Sequence, residues 1–95
     1  MTAPVPLSFR VEISEQTLSQ ELNGETVLLE LSRGVYFGLD EVGTRIWQLL
    51  ARGDSLDEIV AALVDEYEVS ADAAPADLRA LVGELEERRL VEVRR

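Results

Sequence analysis

The sequence of 95 residues has no histidine, no cysteine and no lysine. Each absence removes a kind of chemistry. Without thiols there is no disulfide and no thiolate nucleophile, and cysteine usage says nothing about redox compartment. Without imidazole or thiolate the usual transition-metal ligand sets are missing. The serine hydroxyls have neither a histidine base nor a lysine partner. No apolar run approaches the ~20 residues of a membrane span, and the start, MTAPVPLSFR, lacks the basic segment and long apolar stretch of a secretion signal. The expectation is a cytoplasmic protein with no membrane partner.

Basic charge is also scarce. Nineteen acidic residues stand against nine arginines, a net charge of -10, and residues 54–95 carry twelve of the acids against five arginines. Such a surface repels phosphate backbones and steers cationic partners toward it. A chain this short forms one domain and buries only ~60–65% of its unfolded surface. The hydrophobic share of 46% is that of a globular protein.

What is present divides into two halves. After a proline-bearing tail at 1–6, expected to be flexible, LSFRVEI (7–13) alternates apolar and polar residues with the period of a half-buried strand. LSQEL (18–22), ETVLLEL (25–31) and VYFGL (35–39) follow, separated by Asn23-Gly24 and by Ser32-Arg33-Gly34. Asn-Gly suits a type I′ hairpin, and a connection ending in glycine suits a turn with a bulge. The first half therefore reads as an antiparallel meander of three or four strands.

Beyond Leu39 the period becomes helical. Asp40 can cap a helix carrying Val42, Ile46, Leu49 and Leu50, with Trp47 on the flank of that stripe and Gly53 beyond its end. Ser55 and Glu58 form an S-x-x-E capping box ahead of Leu56, Ile59, Val60, Leu63, Val64 and Tyr67. A third helix begins near Asp72, tolerates Pro75 in its first turn, and turns Leu78, Leu81, Val82 and Leu85 inward. Leu90, Val91 and Val93 read as an apolar tail packing back on the domain. The fold class is α+β, winged helix-turn-helix-like, with one recognition domain over 7–95.

Catalytic readings fail on the residues. The acidic groups Asp65-Glu66-Glu68 and Glu84-Glu86-Glu87 fall on polar helix faces, and no glycine run has phosphate-binding spacing. No enzyme activity and no cofactor are expected. A winged helix can read DNA, but its recognition helix would be residues 72–88, where Asp72, Asp77, Glu84, Glu86 and Glu87 oppose Arg79 and Arg88. No nucleic-acid partner is expected. What remains is VYFGL, a short strand with the character of a sheet edge, where an extended peptide can add itself through main-chain bonds. Tyr36 and Phe37 point to opposite faces, so one belongs to the core.

The run NGETVLLELSRGVYFGLDEVGTRIWQLLARGDSLDEIVAALVDEYEV, closed by ELEERRLV, resembles the pyrroloquinoline quinone synthesis protein D family. Within it, the likeness is to the small stand-alone leader-recognition proteins of lasso peptide biosynthesis. The shared parts are a double strand ending in G-x-Y, a helix with an Ile-Trp pair, a helix opening on Ser-x-Asp-Glu-Ile-Val, and the closing Leu-Val. Asp40 stands where asparagine is common, and Arg89 where glycine often precedes that Leu-Val.

The resemblance implies that the leader of a ribosomally made precursor peptide binds as an extra antiparallel strand on the third meander strand, beside the third helix. On this sequence the edge is Val35, Tyr36, Phe37, Gly38 and Leu39, and the helix face is Arg79, Val82, Gly83 and Glu86. One of the two rings would pack under Trp47 while the other borders the leader. The implied partners are the precursor peptide, a separate cysteine-type protease that removes the leader, and a cyclase. The acidic third helix would favour leaders carrying lysine or arginine. The competing functions are a peptide carrier for a radical S-adenosylmethionine enzyme and a winged-helix DNA-binding regulator, the latter disfavoured by charge.

Overall fold

In the computed structural model, which describes residues 7, 9–67 and 69–94, the Asn23-Gly24 pair makes the first decisive turn. Asn23 at φ 53 and Gly24 at φ 81 supply the two positive angles a type I′ hairpin requires. They join β2 (Thr17–Leu22) to β3 (Glu25–Glu30). A second hairpin, through Gly34 at φ 68, joins β3 to β4 (Val35–Leu39). The three strands form one antiparallel sheet in the order β2-β3-β4.

The buried carboxylate of Glu30 fixes where β4 begins. It accepts from the amide and hydroxyl of Ser32 and from the Arg33 amide at 2.9 Å, with the Arg33 guanidinium 3.6 Å away. The Ser32 hydrogen bond is the main reason its carboxyl titrates below its ordinary value.

Three helices follow: α1 (Glu41–Arg52), α2 (Leu56–Glu66) and α3 (Ala73–Glu87). Asp40 caps α1 by accepting from the Gly43 amide at 2.8 Å, and Gly53 at φ 92 ends it in the left-handed conformation. Both capping-box bonds are formed at α2: the Glu58 amide donates to Ser55 Oγ at 3.2 Å, and the Ser55 amide donates to Glu58 Oε1 at 3.0 Å. The third helix begins immediately after Asp72, as its sequence predicts, but takes its cap from another residue. Asp72 makes no side-chain cap bond, and Ser70 Oγ accepts from the Ala73 amide instead.

The helices close over one face of the sheet. Leu28 and Leu39 meet Ile46, Leu49 and Leu50 of α1, with Leu56, Ile59 and Leu63 of α2 and Leu78, Val82 and Leu85 of α3 completing the core. Trp47 is 6% exposed and belongs to this core, not to its flank. The opposite sheet face stays open and largely apolar, with Leu18, Leu22, Val27 and Tyr36 all exposed.

One expectation is corrected at the ends of the chain, and the apolar tail packs back on the domain as expected. Among the described residues of the alternating segment, Arg10–Ile13 form a strand, β1, and it does not join the meander. It pairs antiparallel with β5 (Val91–Arg94), Val11 opposite Val93, in a separate two-stranded sheet. The apolar tail is thus itself a strand. Both pieces are too short to bury a face alone; paired, they place Val11 and Val91 in the core beside Leu90. The tail expected at 1–6 lies outside the described residues.

Candidate functional site

β4 is an edge strand: among the described residues only β3 pairs with it. Antiparallel ladders alternate, so the outward main-chain groups can be assigned. The Leu31 amide donates to the Gln16 carbonyl at 2.8 Å, one step beyond the Thr17–Glu30 pair. On the same register Leu29, Val27 and Glu25 bond to β2, leaving Thr26, Leu28 and Glu30 to bond to Leu39, Phe37 and Val35 of β4. The N–H and C=O of Tyr36 and Gly38 therefore point away from the sheet.

Side chains alternate in the other direction. Val35, Phe37 and Leu39 turn toward the helices, whereas Tyr36, 69% exposed, stands on the open face. Phe37 is the half-buried ring of the pair and packs against the core, with the Arg88 guanidinium 4.7 Å from its centroid. Tyr36 brings its main chain to the edge, and its ring does not border the helix side.

Between β4 and α3 runs a groove of about 530 Å³. Phe37, Gly38 and Leu39 form one wall, Asp77, Leu81 and Glu84 of α3 the other, and Asp40, Val42, Gly43, Ile46 and Val69 close it at the end beyond Leu39. Asp77, Leu81 and Glu84 recur at i, i+4 and i+7, so they share one face of α3 beside the core stripe of Ala74, Leu78, Val82 and Leu85. Gly38 alternates with Phe37 and Leu39, so a methyl built on it would stand on the open face, where it would meet nothing within 4 Å.

The helix residues expected at the site divide differently. Val82 is fully buried in the core. Glu86 lines a separate recess with Glu30, Ser32 and Arg89. Arg79 is half-buried and absent from the groove wall. Gly83 is half-buried, and a methyl there would also meet open space, so close packing of helix on sheet is not its role. The α3 residues that do face β4 are one helical step away: Asp77, Leu81 and Glu84. The signal that could have found them is their i, i+4, i+7 spacing next to the apolar stripe.

The model of the family described as coenzyme PQQ synthesis protein D matches residues 25–91, which span the meander's second hairpin, all three helices and the start of β5. This chain belongs to the PqqD family. Among solved structures, one match is TbiB1 in complex with the TbiA(β) leader peptide, 43% identical over 85% of this chain and 94% of that one, with a TM-score of 0.82. A second is a lasso peptide synthetase B1 complexed with its leader peptide, 29% identical over 90% of this chain and 98% of that one, with a TM-score of 0.78. A comparison with curated proteins found no match. In PqqD-family terms, the hairpin of β3 with the open strand β4, and the α3 groove, both fall inside the matched segment, whereas β1 and β2 precede it.

Proposed function

We propose that this chain binds the leader segment of a ribosomally synthesised precursor peptide as an added antiparallel strand on β4, and presents it to separate maturation enzymes of lasso peptide biosynthesis. The observation that carries the reading is the juxtaposition of an unpaired strand edge with a groove. Tyr36 and Gly38 offer two N–H and two C=O groups, and the groove beside them receives alternate side chains of an incoming strand. Among the described residues the outer edge of β2 is also unpaired, but its residues are mostly exposed and no comparable groove flanks it among the described pockets.

The two structural relatives are named as leader-peptide complexes, which supports the same class of ligand here. The role is that of a binding partner and not of an enzyme. Cleavage of the leader belongs to a separate cysteine-type protease and ring closure to a cyclase, both acting on the presented peptide.

The test is fluorescence anisotropy with a labelled synthetic leader segment of the precursor encoded beside this chain. Gly38→Pro is the diagnostic variant, because its N–H points outward and its loss costs the β3–β4 ladder nothing. The reading predicts saturable binding by the unaltered chain, and binding weaker by roughly tenfold for Gly38→Pro with an unchanged circular dichroism spectrum. Equal binding by the two proteins, or none by the unaltered chain, would remove it.

A further inference from the structure

The groove has a polarity along its length. Arg88 lies over Phe37, and Asp77 stands eleven residues, about three turns or ~16 Å, earlier on α3. The groove continues past Leu39 to Asp40 and Val42 and does not include Val35. Thus α3 runs antiparallel to β4, with Asp77 toward the Asp40 end and Glu84 toward Phe37.

Charge follows the same axis. Among the described residues the groove wall contains three acids and no base. Among the described residues neither the Asp77 nor the Glu84 carboxylate has a salt bridge; Arg88 bonds the main-chain carbonyl of Glu84, not its side chain. Asp40 spends one oxygen on the Gly43 amide and keeps the other. The partial positive charge of the α1 N-terminus is met by Asp40 and Glu41, so the net field at this end attracts a cation.

A strand added antiparallel to β4 places successive residues against Leu39, Gly38 and Phe37. Those opposite Leu39 and Phe37 direct their side chains into the groove, and the one between them faces the open side. We propose that Asp40 and Asp77 select a lysine or arginine at the position opposite Leu39, two residues ahead of an apolar side chain that packs between Phe37 and Leu81. This rests on the proposed strand addition and specifies what it selects: a basic residue, any residue, then an apolar one.

The experiment is a lysine and glutamate scan of the synthetic leader segment, titrated against the unaltered chain, Asp77→Asn, and Asp65→Asn as a control of equal charge on the exposed face of α2. Replacing lysine by glutamate should weaken binding about tenfold at one position and less than about twofold at its two neighbours, as expected for two exposed ion pairs turned repulsive. Asp77→Asn should shrink that preference severalfold, and Asp65→Asn should leave it unchanged. Binding that is insensitive to lysine or glutamate at every position, or a preference that Asp65→Asn reduces as much as Asp77→Asn, overturns the selectivity and leaves strand addition standing. Failure of every peptide to bind the unaltered chain removes both.

Discussion

Thr26 on β3 and Thr44 on α1 are each 3% exposed, and their hydroxyls bond to one another at 2.9 Å. A polar pair inside an apolar layer is neutral only while both members are present. Thr44→Val should destabilise the chain by about 1–3 kcal/mol by stranding the Thr26 hydroxyl, and the double change with Thr26→Val should recover most of that loss. Urea denaturation of the unaltered chain and the two variants measures both numbers. Arg89 is a second residue under constraint: at φ 60 it holds the left-handed position that ends α3, where a side chain costs about 1–2 kcal/mol. Arg89→Gly should stabilise the chain by somewhat less than about 1 kcal/mol, since glycine's larger unfolded-state entropy offsets part of the relief. The departure from glycine at this place was visible in the sequence; its cost becomes visible only with the backbone angle. The same limit applies to the site. That one of Tyr36 and Phe37 is core followed from alternation, but which one depends on the side of the sheet the helices cover, and a period of two does not say.

At the scale of elements, turns and caps were legible because their signals are local. Asn23-Gly24, Asp40, Gly53 and the Ser55–Glu58 box all act within four residues of themselves, and each does what its chemistry requires. Ser55→Ala should cost about 1 kcal/mol, measured by thermal or urea denaturation. Pairing between distant segments was not legible. β1 and β5 are separated by nearly the whole chain, and nothing in either four-residue piece names its partner. The groove face of α3 was missed for a related reason. Leu81 sits between the core stripe and the groove, so apolar periodicity counted it as inward, while Asp77 and Glu84 read as solvated surface. The meeting of α3 with β4 turns that surface into a wall.

For the whole molecule, the excess of acid sets both solubility and pH response. Glu30, Asp54 and Glu66 each titrate below their ordinary values of 4.5, 3.8 and 4.5, chiefly through side-chain hydrogen bonds from Ser32, Arg52 and Arg45 respectively. A carboxylate whose folded value is lowered contributes stability that is complete above its unfolded value and is lost as pH falls through the folded one. These three groups therefore contribute nothing to pH dependence near neutrality. They predict a melting temperature that falls progressively below about pH 4.5, readable by circular dichroism at stepped pH. Asp54 and Glu66 act at exposed ion pairs, so added salt should blunt their share, whereas the buried Glu30 should keep its own.

The account's central claim is that a peptide extends the sheet at β4, and amide hydrogen exchange followed by NMR reads this directly. In the free chain the Val35, Phe37 and Leu39 amides are held by β3, while those of Tyr36 and Gly38 face solvent and exchange fast. With the leader segment at saturation, the account predicts that Tyr36 and Gly38 become slow together while the other three change little. Protection that appears instead along the outer edge of β2, or saturation that leaves the Tyr36 and Gly38 amides as fast as before, would contradict it.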